Sequence, residues 1–280
     1  MSAVMDQCEN CGTSGLESFI DRPAHVLKRC PGCQLYQKGT LETQMIYEDE
    51  YHDCYSVRLK EKIKTAKIRL GAAKHYLESN QGSQIRSLDI GCSVGAAVSA
   101  AREFGWSASG VDVSQTAIEF CKNQDLDCHR IAGVALPFED GTFDLVTHWH
   151  VIEHVDDVLE SLAEWKRVLK PGGVMMFETP NSDYIKAKIM GPRYEKFWPS
   201  EHLYTFNRKN CASLLTKSGF EILPTRLTGG AGALPLRLNS YAMIYRGFRE
   251  FSRKARICKS FEMTCRKPIG NSLGDLQHVA

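Results

Sequence analysis

Residues 87–95 read Ser-Leu-Asp-Ile-Gly-Cys-Ser-Val-Gly, and seventeen residues after the last glycine comes Asp112, which ends a Gly-Val-Asp triplet. The first run predicts a short strand that enters a glycine turn, and the turn predicts the start of a helix. A second strand then carries the acid near its end. This is the order of the first half of a nucleotide-binding βαβ unit, in which the glycines allow a ligand close to the backbone and the acid accepts hydrogen bonds from a ribose.

Strands and helices continue to alternate after this unit, which predicts an α/β fold with a mostly parallel, doubly wound sheet. A further helix is expected before it, at about 57–77. Strands are predicted near 85–90, 107–112, 127–131, 143–148, 173–178 and 220–226. Helices are predicted near 95–104, 114–123, 151–169 and 207–218.

Composition sets limits on the class of protein. With 280 residues, 43% hydrophobic and 24% charged, the chain has room for one α/β core and a small extra module. No apolar run reaches the ~20 residues that span a bilayer, and residues 1–16 are too polar for a secretory signal. The cysteines number eleven, which is odd and fits free thiols better than a disulfide framework. We therefore expect a cytoplasmic protein.

Four of the cysteines form two Cys-x-x-Cys pairs separated by eighteen residues: Cys8, Cys11, Cys30 and Cys33. Each pair lies in a predicted tight turn, so its two sulfurs can face one ion. Four thiolates suit a tetrahedral zinc site with no open position, and such a zinc is structural. The sequence predicts a zinc ribbon over residues 1–40, and this segment has no dense basic patch that would indicate nucleic-acid binding.

The expected organisation is a ribbon at 1–40, a linker and cap helix at 41–84, and the α/β domain at 85–280. The last domain carries a basic helical insertion at about 229–268. A helix over 240–268 has eight Lys and Arg residues. It is interpreted as a lid or packing helix; the alternatives are peripheral contact with anionic lipid and recognition of a phosphorylated acceptor such as a nucleotide sugar. The tail at 274–280 is predicted to be the final strand.

The glycine turn also fits other motifs. Gly91, Ser93 and Gly95 match the Gly-x-Ser-x-Gly nucleophile elbow, but the elbow strand would here be the first of the sheet, which disfavours an α/β-hydrolase. The Gly-x-Gly-x-x-Gly dinucleotide pattern is not satisfied. A P-loop is excluded because the turn has no phosphate-binding lysine.

A set of motifs closely resembles class I S-adenosylmethionine (SAM)-dependent methyltransferases, in the order and spacing of that family. The motifs are Leu-Asp-Ile-Gly-Cys-Ser-Val-Gly at 88–95, Gly-Val-Asp-Val at 110–113, Ala-Leu-Pro-Phe-Glu-Asp-Gly-Thr-Phe-Asp-Leu-Val at 135–146, Val-Ile-Glu-His-Val at 151–155 and Val-Leu-Lys-Pro-Gly-Gly at 168–173. His-Leu-Tyr-Thr-Phe at 202–206 and the stretch 214–221 are similar to the subgroup with ubiquinone-biosynthesis and sugar-modifying enzymes. The resemblance implies a seven-stranded sheet of order 3-2-1-4-5-7-6 with an antiparallel last strand.

The resemblance also implies roles for residues in the cofactor site. Asp89 would hold the amino group of the methionine moiety, Gly91 and Gly95 would lie beneath the cofactor, and Asp112 with Val113 would take the ribose. Phe138 and the loop from Ala132 would border the adenine, and His148 to His150 would line the methionine end. The chain departs from the family at Ser93, which replaces a glycine, and at Ala132, where many relatives have an acid.

Methyl transfer to oxygen or carbon also needs a base, and histidine suits this role because its pKa lies near neutrality. Glu201 and His202 are the preferred catalytic pair, because some sugar C-methyltransferases with a zinc ribbon look similar here. His202 is alternatively a structural residue beneath a lid. His150 and His154 are further candidates.

His-x-x-Glu-His at 150–154 has the order of inverted zinc proteases, but it follows the fourth strand of a nucleotide fold. Some ubiquinone O-methyltransferases are similar here and hold a divalent ion through an acid-x-x-Glu-His cluster. A divalent ion near Glu153 and His154 is therefore a further hypothesis; the other is that these residues cap and position the next helix.

The sequence thus predicts SAM-dependent methylation of a small molecule, at oxygen rather than carbon, with a sugar, nucleotide sugar or lipid-linked, quinone-like acceptor. One alternative is a nucleic-acid or protein methyltransferase guided by the ribbon, which the weak basicity of residues 1–40 disfavours. The other is a SAM-binding scaffold without turnover.

Overall fold

The structure, a computed structural model, describes residues 6–22, 25–39, 58–77, 84–197, 201–225 and 258–270. The strands are β1 (Glu17–Arg22), β2 (His25–Arg29), β3 (Tyr36–Lys38), β4 (Arg86–Ile90), β5 (Ser107–Asp112), β6 (Cys128–Arg130), β7 (Phe143–Trp149), β8 (Leu169–Pro180), β9 (Tyr204–Thr205), β10 (Glu221–Leu223) and β11 (Ser260–Arg266). The α-helices are α1 (Leu59–Leu77), α2 (Ala96–Glu103), α3 (Gln115–Lys122), α4 (Val158–Val168), α5 (Ile185–Met190) and α6 (Arg208–Lys217).

Seven strands form the main sheet in the order β10-β11-β8-β7-β4-β5-β6. β11 is antiparallel to both of its neighbours, and the other pairings are parallel. When these seven strands are renumbered 1 to 7 in chain order and the sheet is read from β6 to β10, the order is 3-2-1-4-5-7-6. The predicted topology is thus confirmed. The chain enters the sheet at β4, runs out to β6 and returns to β7 on the other side of β4. This reversal opens a crevice at the carboxyl ends of β4 and β7, where ligands bind in such sheets.

The two faces of the sheet bury different sets of side chains. Along β8, Met175 and Phe177 pack with the core that includes α4 and α6, whereas Val174 and Met176 pack with α1, α2 and α3. This alternation is what a strand covered by helices on both faces requires. Side chains that follow one another at the end of a strand therefore lie on opposite sides of the sheet.

A second, four-stranded sheet has the order β1-β2-β3-β9. Its first three strands come from the cysteine-rich segment, and β9 comes from the α/β domain: Tyr36 pairs with Thr205 and Gln37 with Tyr204. Leu16 and Leu35 share one buried cluster with Leu203, Tyr204 and others. The cysteine-rich segment is thus continuous with the core of the α/β domain.

Two elements differ from the sequence predictions. The helix predicted over 151–169 begins only at Val158, because Asp157 caps it by accepting hydrogen bonds from the backbone N–H groups of Leu159 and Glu160, each at 2.9 Å. The helix predicted over 240–268 is wrong for Ser260–Arg266, which forms β11 between β8 and β10.

The alternating apolar residues Phe261, Met263 and Cys265 explain this second difference, since a period of two is that of a strand. The remainder of that helix, at 240–257, and the strand predicted at 274–280 lie outside the described residues. No helix in the described part of the chain is long and apolar enough to cross a membrane.

Candidate functional site

The glycine turn lies between β4 and α2 and has the left-handed backbone that its glycines permit. Gly91 has a φ of 69° and Gly95 a φ of 71°. A Cβ on Gly91 would lie 2.5 Å from a methyl carbon of Val151, so the turn also packs against the loop that follows β7. Ser93, which departs from the family pattern, has a φ of 47° without being a glycine. This conformation costs energy for a side-chain-bearing residue, and contacts of the turn must offset that cost.

Asp112 supplies one of these contacts. One carboxylate oxygen accepts a hydrogen bond from the Ser93 backbone N–H at 2.8 Å, and the other accepts one from the Ser114 backbone N–H at 2.9 Å. The predicted ribose acid is thus buried at the end of β5 and joins the glycine turn to the start of α3. These two bonds fix the orientation of the carboxylate.

Asp89 is the second predicted carboxylate, one residue before the end of β4. It is buried, and its Oδ1 accepts a hydrogen bond from the Thr147 hydroxyl at 2.7 Å. Burial raises the pKa of Asp89 to about 7, against the lowering effect of the Thr147 bond. A ligand ammonium group beside Asp89 would favour its charged form. Thr147 was not predicted, although its place opposite Asp89 follows from the parallel register of β4 and β7.

The other predicted cofactor residues lie in the segments that follow β5 and β6. The Val113 carbonyl accepts a hydrogen bond from Arg130 Nε at 3.2 Å. Ala132 is exposed in the loop after β6. The Phe138 ring is half-buried and lies edge-on to Phe143, with ring centroids 4.9 Å apart. No measured contact assigns these residues to a ligand, and their roles stay predictions.

The prediction that His148 lines the cofactor site is wrong. Its side chain is 0% exposed, and its ring lies between Phe177 and Trp165, with centroids 4.4 and 4.5 Å away. It lies on the opposite face of the sheet from its neighbour Thr147, which contacts Asp89. Neither ring nitrogen has a hydrogen-bond partner among the described residues. Burial lowers the pKa of His148 to about 3, so the ring is neutral.

Next to the turn, the loop after β7 carries a second group of polar side chains around Glu153. This carboxylate is fully buried, and it accepts hydrogen bonds from His150 Nδ1 at 3.1 Å and from the Thr179 hydroxyl at 3.0 Å. Burial raises its pKa, but the His150 hydrogen bond and the electrostatic attraction of that ring outweigh burial and lower the pKa to about 2. Glu153 is therefore ionised.

His150 is held between two acids and has a half-exposed ring. Beyond its bond to Glu153, its Nε2 lies 3.9 Å from an oxygen of Glu178. Burial lowers its pKa, and the two carboxylates more than offset this, so the net shift is upward. Its φ of 59° is left-handed, a strained conformation of the kind that clusters at functional sites.

His154 and His202 complete the group. Their ring centroids lie 4.8 Å apart, and one ring nitrogen of each lies within 4.8 Å of a Glu153 oxygen and of the other. Each ring hydrogen-bonds a backbone carbonyl through Nδ1: His154 that of Glu201 at 2.9 Å, and His202 that of Lys196 at 2.8 Å. Because a carbonyl oxygen only accepts, these bonds place a proton on each Nδ1. We refer to Glu153, His154 and His202 as the histidine cluster.

The predicted pairing of Glu201 with His202 has a different geometry from that expected. The acid that the structure groups with the His202 ring is Glu153, and Glu201 is outside this group; its carbonyl holds His154 instead. His150 and His154 both lie before α4 begins, so they are not part of a helix. Burial and the neighbouring His154 lower the pKa of His202 to about 4.

Two residues that sequence reasoning missed support this region from α1 and β8. Arg69 donates a hydrogen bond to Glu178, and its guanidinium lies 4.1 Å from the centre of the Trp149 ring. Glu178 lies near the carboxyl end of a parallel strand, a position where site residues are expected. Arg69 carries no such signal, since only the fold brings α1 over the ends of β7 and β8.

The four predicted zinc ligands do come together. The sulfurs of Cys8, Cys11, Cys30 and Cys33 lie within 4.8 Å of one another, with the first and last 3.5 Å apart and the middle two 3.5 Å apart. Zinc–sulfur bonds of ~2.3 Å in a tetrahedron place sulfurs about 3.8 Å apart. The donor set and its spacing thus fit one zinc ion.

Comparison with known families decides the class. A family described as a methyltransferase domain matches residues 60–225, well over half of the chain. The chain belongs to this family. It is a class I SAM-dependent methyltransferase, with the sheet order and glycine turn of that class.

This methyltransferase is similar to enzymes named for quinone biosynthesis. It is 30% identical over 187 residues to the demethylmenaquinone methyltransferase of Staphylococcus saprophyticus, across 57% of this chain and 80% of the relative. It is 34% identical over 119 residues to a ubiquinone biosynthesis O-methyltransferase of Methylococcus capsulatus, across 39% of this chain and about half (50%) of that relative.

Among solved structures, a SAM-dependent methyltransferase from Archaeoglobus fulgidus has a TM-score of 0.53 at 20% identity. The match covers 78% of this chain and 100% of that one. At this identity the likeness shows the fold.

Proposed function

We propose that this methyltransferase transfers the methyl group of SAM to a hydroxyl oxygen of a small molecule, and that His202 accepts the hydroxyl proton. The observation that carries the proposal is the environment of His202. Its Nδ1 is held by the Lys196 carbonyl, and its pKa of about 4 keeps Nε2 unprotonated at neutral pH. A neutral imidazole with a fixed tautomer is what a general base requires.

The reaction needs one bond broken and one formed. The sulfonium–methyl bond breaks as the acceptor oxygen attacks in line, the oxygen–methyl bond forms, and the hydroxyl proton passes to His202 Nε2. Demethylated cofactor and methyl ether leave. The protein mainly holds the two reactants at near-attack distance, with Asp89 and Asp112 on the cofactor side and the histidine cluster on the acceptor side.

The buried Glu153 gives a reason for the base to work despite its low pKa. Its negative charge lies within 4.8 Å of His202 and favours the imidazolium that forms as the proton arrives. The same carboxylate also accepts a hydrogen bond from His150 Nδ1. The acid that assists the base is thus Glu153, in place of the predicted Glu201.

The acceptor class is a phenol-like hydroxyl of a quinone-type intermediate or a hydroxyl of a sugar. The names of the two relatives support the quinone-type acceptor. The half-exposed His150 ring, which shares the Glu153 carboxylate with the histidine cluster, offers a second ring nitrogen to an acceptor that has another oxygen next to the methylated one. We retain the cytoplasmic location as a prediction.

A divalent ion in the histidine cluster is a second candidate, and one observation favours it. Glu153, His154 and His202 each turn one ligand atom towards the others, and both histidines are held through Nδ1 by backbone carbonyls, as metal-bound histidines usually are. An ion there would lower the pKa of a bound hydroxyl and take over the work of the base. Activity that is lost after chelation and restored by Mg²⁺ or Mn²⁺ would favour it.

The ribbon supports the small-molecule interpretation as a scaffold. Its strand β3 pairs with β9, immediately after His202, and the Tyr204 hydroxyl donates to the Glu9 carboxylate. We propose that its zinc holds the segment that carries the base, instead of guiding a nucleic acid or protein substrate.

The first test is calorimetric titration of the zinc-loaded protein with SAM and with its demethylated product. Saturable binding is expected in the wild type. Asp112→Ala should weaken it about 10- to 100-fold, which corresponds to the ~1.5–3 kcal/mol of hydrogen bonds to a charged group. Asp140→Ala is the matched control, because Asp140 is an exposed carboxylate that pairs with Arg167.

Binding should be followed by transfer of labelled methyl to hydroquinones and sugars. Binding without transfer to any acceptor would favour the scaffold alternative. Equal affinity in the wild type and Asp112→Ala would refute the assigned cofactor site.

A further inference from the structure

Three cysteines outside the ribbon meet beneath the glycine turn. Cys92 lies in the turn itself, Cys121 in α3 and Cys128 in β6, and their sulfurs lie within 4.8 Å of one another. All three are at most 4% exposed. We call them the buried thiol cluster. They are 36 residues apart in the chain, from 92 to 128, and only the βαβαβ topology brings them together.

Two glycines provide the space for these sulfurs. A Cβ on Gly110 would lie 2.9 Å from the Cys92 sulfur and 3.0 Å from the Cys128 sulfur. A Cβ on Gly95 would lie 3.0 Å from the Cys121 sulfur. A side chain at either position would push the thiols apart. Glycine at both positions therefore leaves room for the three sulfurs to approach one point.

A fourth donor atom faces the same point. The Ser93 carbonyl oxygen accepts hydrogen bonds from the Cys121 sulfur at 3.2 Å and from the Cys92 sulfur at 3.9 Å. Three sulfurs and one oxygen are enough donors for a four-coordinate ion. The oxygen belongs to the residue of the turn that has a left-handed backbone, and this conformation directs its carbonyl into the cluster.

We propose that Cys92, Cys121 and Cys128, with the Ser93 carbonyl, bind one thiophilic divalent ion of the zinc and cadmium class. Soft thiolate ligands select such ions. Binding replaces three sulfur–hydrogen bonds with three sulfur–metal bonds and releases three protons to solvent, with no change in oxidation state. The ion fixes the glycine turn from below, next to the Ser93 N–H that bonds to Asp112.

Cadmium is the probe, because it gives a thiolate charge-transfer absorption and an NMR-active nucleus. The full-length protein is loaded with ¹¹³Cd²⁺, passed over a gel-filtration column and analysed for metal per chain. The wild type should hold one ion more than Cys121→Ser and than Cys128→Ser. Cys258→Ser is the matched control and should equal the wild type, since Cys258 belongs to neither cysteine cluster.

The NMR spectrum of the wild type decides the matter without any variant. Two ¹¹³Cd resonances are expected, one in the range of four sulfur ligands for the ribbon and one shifted by the oxygen ligand. The proposal fails if a saturated wild-type sample shows only the four-sulfur resonance. It also fails if folded Cys121→Ser and Cys128→Ser retain the wild-type metal content.

Discussion

The glycine turn and the histidine cluster lie at the same edge of the sheet, yet they are held in place in different ways. The turn and its two acids come from one continuous stretch, residues 89–114, and backbone N–H groups orient Asp112. The histidine cluster joins residues 153 and 202, and its contacts come from β8, β9 and the loop around Lys196. One region is local in the chain and the other is assembled by the fold.

The difference implies that the two regions fail in different ways. A change in the turn should affect ligand binding directly, because the Asp112 carboxylate and the turn are the proposed binding surface. The histidine cluster depends on distant supports, among them the ribbon, whose strand β3 pairs with β9 next to His202. Damage to a distant support should therefore reduce the rate of transfer while cofactor binding persists.

The largest expected effect comes from a variant that removes the proposed base, His202, but keeps a hydrogen bond to the Lys196 carbonyl. In His202→Asn the amide can still donate to the Lys196 carbonyl, but the lone pair of Nε2 is lost. We expect kcat to fall about 10²- to 10⁴-fold, the usual contribution of a general base, with SAM affinity unchanged. His75→Asn, at an exposed position of α1, is the control. Full activity in His202→Asn would rule out His202 as the base.

The pH profile of the wild type gives a second test of whether His202 is the base. The pKa of His202 is lowered, to about 4, so the base stays unprotonated until the pH falls to that value. The limb of kcat/KM that reports His202 should thus be flat at neutral pH and decline only below about pH 5. A decline centred near the ordinary histidine pKa of about 6.5 would assign the base to another group.

Removal of the zinc proposed for the ribbon should have the next largest effect. Cys30→Ser, or mild chelation, loosens β3 and with it β9 and His202. A displacement of about 1 Å in a reacting group can cost about 10²-fold in rate, so kcat should fall by about that factor. SAM binding measured by calorimetry should persist, because among the described residues none of the ribbon has a hydrogen bond to the glycine turn. Parallel loss of both would show that the two regions are not independent.

The same contrast explains which parts of the site the sequence could predict. Asp89, Asp112 and the glycines of the turn obey a local pattern of strand, turn and helix, so their positions follow from spacing alone. The meeting of Glu153 with His202 depends on a loop, a β-bridge and the ribbon, none of which leaves a periodic signal. The start of α4 was misplaced because residues 151–157 are apolar enough to extend a helical pattern, and the cap at Asp157 overrides it.

His148 shows a limit of motif-based prediction. Its place between Thr147 and His150 in a family motif suggested a ligand contact, but the alternation of a strand turns it away from Asp89 and into the core. The same alternation is predictable once the register of β7 is known. Similarly, the prediction of a helix over 240–268 fails at Ser260–Arg266, where the apolar residues recur with the period of a strand.

The smallest effect is expected from His148→Phe, which tests whether this ring is only a core residue. Phenylalanine fills the space between Phe177 and Trp165 without two buried nitrogens that lack partners. Each unsatisfied polar group costs about 1–3 kcal/mol, part of which the larger ring will offset by crowding. We expect the free energy of unfolding in urea at pH 7.5 to rise by about 1 kcal/mol.

The gain should grow in acid, and the sign follows from the pKa of His148. Its value of about 3 in the folded protein lies below the ~6.5 of the unfolded chain, so the unfolded form binds one more proton between these values. Stability of the wild type therefore falls as the pH falls from about 6.5 towards 3, and His202 adds a second such group. At pH 5 the advantage of His148→Phe should exceed its value at pH 7.5 by about 2 kcal/mol. An advantage independent of pH would mean that His148 is already protonated, and hence solvated, in the native protein.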